Sequence, residues 1–128
     1  MAEASLVPIT GDSNFSITAR KQDVIIAGQV VHAMIYEDDN NVLKDAAHPA
    51  EPIAPTTPYP NGIPILLMNL TLGQVVTCRF TNKLPSSEVM EGASIHWHGL
   101  EVDNDSDGAA VTQDSVLEKQ TYTYQTQM

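Results

Sequence analysis

Residues 14–20 (NFSITAR) alternate apolar and polar positions, which places Phe15, Ile17 and Ala19 on one face of a strand. Residues 23–36 (DVIIAGQVVHAMIY) form a long run rich in β-branched side chains, with Gly28 expected as a bulge or bend. The pattern then breaks. Six of the eight prolines fall between residues 37 and 64, at positions 49, 52, 55, 58, 60 and 64. Each lacks a backbone N–H, so this density excludes a regular helix or a central strand and predicts a Pro-rich surface insertion over 37–64. Strand-like sequence resumes at once: residues 65–71 are apolar, Leu72-Gly73-Gln74 reads as a turn, and 75–82 (VVTCRFTN) reads as the next strand. A polar loop over 84–92 leads into a short β-like segment at 93–100 (ASIHWHGL), followed by an acidic stretch at 101–107. The last element is 121–127 (TYTYQTQ), with Tyr122 and Tyr124 packing from one face. Short strands separated by turn signals predict a single all-β domain over 1–128, a sandwich or barrel.

A length of 128 residues is consistent with that single domain and a modest core. Six Lys+Arg against sixteen Asp+Glu give a formal net charge of −10, and no basic stripe offsets it. Such a chain would repel a phosphate backbone, so nucleic acid is not an expected partner. No apolar run reaches the roughly 20 residues of a membrane-spanning helix. The N-terminus, MAEASLVPITG, has neither a basic n-region nor an apolar h-region, so no signal peptide is visible. Either the protein stays where it is made or a leader has been removed. The single cysteine, Cys78, excludes an internal disulfide and reads as a small buried hydrophobe. His32 reads as structural and His48 as solvated within the insertion. The sequence stops within the alternating 121–127 segment, so this strand is expected at an edge, or in a sheet whose remainder lies elsewhere.

Candidate chemistry lies at Ile95-His96-Trp97-His98-Gly99-Leu100. Residues two apart on a strand share a face, so His96 and His98 project together while Trp97 packs on the other side. At roughly 6–7 Å backbone separation the two imidazoles suit two adjacent metal ions better than one. Imidazole favours copper, zinc, iron or nickel over calcium or magnesium. The plain alternative is two histidines on a solvated strand face.

Ser94-Ile95-His96-Trp97-His98-Gly99-Leu100, then Asp107-Gly108, Thr112-Gln113 and Tyr122-Thr123-Tyr124, resembles the first cupredoxin domain of multicopper oxidases. Gly73-Gln74-Val75-Val76 and Phe80-Thr81-Asn82 resemble that family's strand entry and closing asparagine, so the likeness runs over about residues 63–127. It implies a cupredoxin-like Greek-key β-sandwich or barrel, incomplete at its C-terminus. His96 would match a ligand to the type 2 copper, and His98 a ligand to one type 3 copper, of a trinuclear site that reduces dioxygen to water. Asp107 would match the carboxylate beside the type 2 copper that relays protons. The resemblance also implies an extracytoplasmic setting, secreted or periplasmic. The family's cluster takes eight histidines from four H-x-H motifs, and this chain holds one. The second motif is expected beyond residue 128, and the type 1 copper cysteine belongs to a distant domain that Cys78 does not replace. Asp114 and Ser115 stand where many relatives carry cysteine and proline. The chain alone is therefore not expected to be catalytically competent. Its expected partner is the remainder of an oxidase, as further sequence or a second chain.

Two other readings stay open. One is a non-catalytic copper-binding module using the same His96 and His98. The other is a β-sandwich interaction domain whose acidic loop binds calcium. Asp103-Asn104-Asp105-Ser106-Asp107-Gly108 fits the opening of a calcium loop with Asp114 at its twelfth position, although flanking helices are not expected.

Overall fold

The computed structural model describes residues 4–9, 13–109 and 111–127. Residues 1–3 and 10–11 of the N-terminal stretch read for a leader lie outside the described residues. In chain order the strands are β1 (Ala4–Pro8), β2 (Asn14–Ile26), β3 (Gln29–Asp38), β4 (Lys44–Asp45), β5 (His48–Pro52), β6 (Ile63–Leu67), β7 (Val75–Asn82) and β8 (Thr121–Gln127). One 3-10 turn spans Asn104–Ser106.

The alternation in residues 14–20 belongs to a longer strand than the pattern suggests. β2 runs through to Ile26 and then reverses, because Ile26 pairs with Gln29 and leaves Ala27 and Gly28 as a two-residue loop. Gly28 is therefore half of a hairpin turn rather than a bulge in one strand over 23–36. Both turn residues have positive φ, 50° for Ala27 and 77° for Gly28. That is the mirror-image turn whose twist matches the flanking strands. Glycine adopts it freely, whereas Ala27 does so against its side chain's preference. An Ala-Gly pair lacks the Asn-Gly signature, so the turn is hidden at the sequence level.

The main sheet has the order β3-β2-β7-β8. β2 pairs antiparallel with β3 and parallel with β7, and β7 pairs antiparallel with β8. A parallel neighbour requires a crossover, which the chain between β3 and β7 supplies. On the way it forms β6, which pairs in parallel with β1 and packs against β3. Phe15, Ile17 and Ala19 from β2, Val76, Cys78 and Phe80 from β7, and Tyr124 from β8 form the main core. Leu84, Trp97 and Val116, from the segments between β7 and β8, close over it.

Within 37–64, β4 and β5 pair as an exposed antiparallel hairpin, and Pro49 and Pro52 sit in that short peripheral strand. Leu43 and Ile53 turn inward and join Val24, Ala33 and Ile35 in a second apolar cluster. Farther on, the chain runs beside β2: the Asp23 N–H donates to Pro55 O (2.8 Å), and the Tyr59 N–H donates to Asp23 O (2.8 Å). The buried Gln22 amide donates to the Ala54 and Thr57 carbonyls at 3.0 and 2.8 Å. The Pro-rich stretch is thus tied to β2 at several points. No helix among the described residues is long and apolar enough to cross a membrane.

Candidate metal centre

The histidine segment is not a regular strand. Within 93–100 only Ala93 makes a ladder contact, an isolated bridge to Val116 with N–H···O distances of 3.0 and 2.9 Å. Beyond it the backbone is held by side chains. The Ile95 N–H donates to the Tyr124 hydroxyl (2.9 Å), the Tyr36 hydroxyl donates to Ser94 O (3.1 Å), and the Ser94 hydroxyl donates to Gly108 O (2.6 Å). Gly99, at φ +80°, turns the chain immediately after His98, which ends any strand there.

Trp97 points inward, 8% exposed, and packs edge-on against Tyr124 with ring centroids 6.2 Å apart. His96 and His98 point outward, and their rings lie edge-to-face with centroids 5.6 Å apart. The expected sharing of a face therefore holds for the side chains, although the backbone between them is irregular.

His96 is oriented and His98 is not. His96 Nδ1 lies 2.7 Å from the backbone carbonyl oxygen of Asp107, and 3.5 Å from its carboxylate Oδ1. A carbonyl only accepts, so Nδ1 must carry the proton, and in the neutral ring Nε2 then presents a lone pair outward. Metal-ligating histidines are held in this way, by an outer hydrogen bond that fixes tautomer and ring angle. His98 makes no side-chain hydrogen bond among the described residues. Its side chain is exposed beside that of His96.

Asp107 follows the 3-10 turn, its N–H donating to Asn104 O at 3.2 Å, and its side chain is 35% exposed. Gly108 brings this loop against the histidine segment. Its φ is +71°, and a Cβ there would fall 1.9 Å from Ile95 O. Only a residue without a side chain fits. The loop is also fixed to β8: the Ser106 hydroxyl donates to Gln125 O (2.9 Å) and accepts from the Gln125 N–H (3.2 Å). The Tyr122 hydroxyl donates to Asp105 O. β8 is an edge strand of the main sheet, and these bonds occupy its outer side at Gln125.

Among the described residues, no three His, Cys, Asp or Glu side chains converge to hold a metal ion. Asp103, Asp105, Asp107 and Asp114 are accordingly not gathered into a carboxylate cluster. His96 and His98 offer two imidazole donors on an open surface, a donor set suited to copper and short of a complete site. Beside them lies a cleft of about 400 Å³, with Met34, Tyr36, Ile65 and Met68 among its walls and His96 and Trp97 at one side. The buried Trp97 Nε1 has no hydrogen-bond partner among the described residues.

Burial sets the ionisation of the groups behind the site. It raises the Tyr124 hydroxyl above its ordinary range, against the opposing hydrogen bonds from Ile95 and Gln113. It pushes the Cys78 thiol up to about 12, with the Asp39 carboxylate adding to the effect. Both groups are neutral at physiological pH, so no buried charge lies beneath the histidines from these two. Cys78, His32 and His48 lie away from the site: Cys78 in the core, His32 paired with Asp23 (2.6 Å), and His48 with Asp45 (3.1 Å).

The multicopper oxidase family model matches residues 41–128, more than half of the chain. The chain belongs to the multicopper oxidases. It is similar to the multicopper oxidase MmcO of Mycobacterium tuberculosis, 39% identical over 57 residues that cover 44% of this chain and 10% of that protein. Among solved structures it resembles the 2F4 variant of the McoA multicopper oxidase from the hyperthermophile Aquifex aeolicus, with a TM-score of 0.57 and 23% identity. That match covers 97% of this chain and 21% of the McoA chain. The fold is accordingly the all-β cupredoxin fold. The chain spans about a tenth and a fifth of these two relatives.

Tyr124, Gln113, Ser94 and Tyr36 hold the site together, and none of them is legible as a site residue in the sequence. Tyr124 reads there as packing, and Gln113 only as part of a motif. Their partners are 14 to 58 positions away or lie across a loop, so no local pattern could reveal them.

Proposed function

We propose that this chain contributes His96 and His98 as copper ligands to a multicopper oxidase, with His96 at the type 2 and His98 at a type 3 position. The observation that carries the reading is the bond from His96 Nδ1 to Asp107 O, which leaves Nε2 open beside the second imidazole. Further ligands come from the rest of the oxidase, as additional sequence or a second chain. When bound, copper supplies the one-electron steps by which dioxygen is reduced to water at the expense of a reductant.

This chain's own residues bind, orient and move protons. His96 Nε2 binds, the Asp107 carbonyl orients it, and the Asp107 carboxylate, one oxygen 3.5 Å from Nδ1, stands at the edge of the site as the group that relays protons. Trp97 and Tyr124 exclude water from beneath the histidine segment. An extracytoplasmic setting, secreted or periplasmic, goes with this reading.

The test is copper(II) binding by the full 128-residue chain, followed by calorimetry and electron paramagnetic resonance, with calcium(II) as the comparison ion. Binding of copper that weakens in both His96→Ala and His98→Ala supports the proposal. In an assembled oxidase, His96→Ala should remove the type 2 signal and His98→Ala should damage the type 3 pair first. Copper binding unaffected by either substitution, or preference for calcium, would overturn it.

A further inference from the structure

Gln113 does not touch either histidine, yet it holds the group that orients one of them. The Gly108 N–H donates to Gln113 Oε1 at 3.1 Å. That N–H and the Asp107 carbonyl belong to one planar trans peptide, in which the two groups point in opposite directions. One face of the peptide therefore meets His96 Nδ1 at 2.7 Å, and the other meets Gln113. The Gln113 amide in turn donates to the Tyr124 hydroxyl at 3.2 Å, which also accepts from the Ile95 N–H at 2.9 Å. Ile95 precedes His96. The circuit closes on itself: His96, the Asp107–Gly108 peptide, Gln113, Tyr124, Ile95.

We infer that Gln113 is a positioning residue that fixes the Nδ1–H tautomer of His96 through the Asp107–Gly108 peptide and so keeps Nε2 open as a ligand. The ligand role of His96 is the reading proposed above, on which this rests; the tautomer itself does not depend on any metal. Two physical effects act together. Gln113 Oε1 stops the peptide plane from rotating, which keeps the carbonyl aimed at Nδ1. A hydrogen bond accepted from the peptide N–H also polarises its carbonyl, which strengthens the bond from His96 and raises the donor strength of Nε2. Without Gln113 the peptide can turn, and His96 falls to the tautomer mixture of an unrestrained imidazole. Tyr124 contributes by holding the Gln113 amide so that Oε1 faces Gly108.

The test is nitrogen-15 NMR of the two histidines in the metal-free full chain at about pH 8, where an ordinary imidazole is neutral. In the wild type His96 should carry its proton on Nδ1. In Gln113→Leu it should shift to a mixture, while Gln113→Glu, which retains an acceptor oxygen for the Gly108 N–H, should restore Nδ1–H. His98, which has no such holder, is the internal reference and should not change. Copper(II) affinity should fall about 10-fold or more in the leucine variant, the range for loss of an outer partner of a ligand. If Gln113→Leu gives no dispersed spectrum, Tyr124→Phe carries the test, with a smaller shift expected at His96 alone. An unchanged His96 tautomer, equal behaviour of the leucine and glutamate variants, or equal shifts at both histidines would overturn the inference. A tautomer that shifts as expected while copper affinity does not change would leave the inference standing and count against His96 as a ligand.

Discussion

Gly108→Ala should loosen the acidic loop from the histidine segment. The added Cβ would meet Ile95 O at 1.9 Å, Ile95 C at 2.5 Å and His96 N at 2.9 Å, all backbone atoms that no rotamer change can move. The residue also sits at φ +71°, where alanine costs about 1–2 kcal/mol. To relieve the contact the loop must move outward, which lengthens three hydrogen bonds: Ser94 to Gly108 O, Gly108 N–H to Gln113, and His96 to Asp107 O. Each contributes about 1 kcal/mol net. These bonds lengthen rather than break, so about half of that is lost, and with the backbone cost the expected loss is about 3 kcal/mol. Gly73→Ala is the matched control. It has φ +86° and nothing within 4 Å of a built Cβ, so only the backbone cost of about 1–2 kcal/mol applies. Urea unfolding followed by the fluorescence of Trp97, the single tryptophan, measures both. With an m-value of about 1.5 kcal/mol/M, the midpoint should fall by about 2 M in Gly108→Ala and by about 0.7–1.3 M in the control. Coincident midpoints would show that the close approach at Ile95 contributes nothing, and would refute the reasoning.

Two further outcomes follow from the site and from the core. Asp107→Asn leaves the backbone carbonyl that orients His96 in place, so copper content should be retained while turnover of the assembled oxidase falls about 10-fold or more, as for loss of a general acid–base group; equal turnover would exclude a proton-handling role. Because the folded Cys78 thiol ionises only at about 12, against 9.0 for a free thiol, the unfolded chain releases its proton first as pH rises. The associated stability is therefore complete below about pH 9 and is lost progressively between 9 and about 12. Urea midpoints measured from pH 8 to 10 in wild type and Cys78→Ala should diverge at the alkaline end, and parallel curves would contradict it.

The sheet and its core were legible because they rest on short-range alternation. Phe15, Ile17 and Ala19, and Val76, Cys78 and Phe80, alternate with polar neighbours, and burial of one face follows from the two-residue period of a strand. The turn at Ala27–Gly28 escaped because the sequence shows a glycine but not the partner strand that makes it a hairpin. In the Pro-rich stretch, composition showed where regular structure must fail. It did not show that Leu43 and Ile53 return to Val24 and Ile35, since that depends on tertiary packing.

The sequence by itself determined that the chain is all-β and that His96 and His98 stand together near an acidic loop. A period of two and a residue composition are local properties, and both histidines belong to one short segment. Only the tertiary structure decided which ring nitrogen faces outward. His96 lies 11 positions from Asp107 and its neighbour Ile95 lies 29 from Tyr124, and the bonds that hold the segment use backbone groups, the Asp107 carbonyl and the Ile95 N–H. A carbonyl oxygen carries no side-chain signature, so its role in orienting His96 becomes visible only when folding brings it within 2.7 Å of the imidazole.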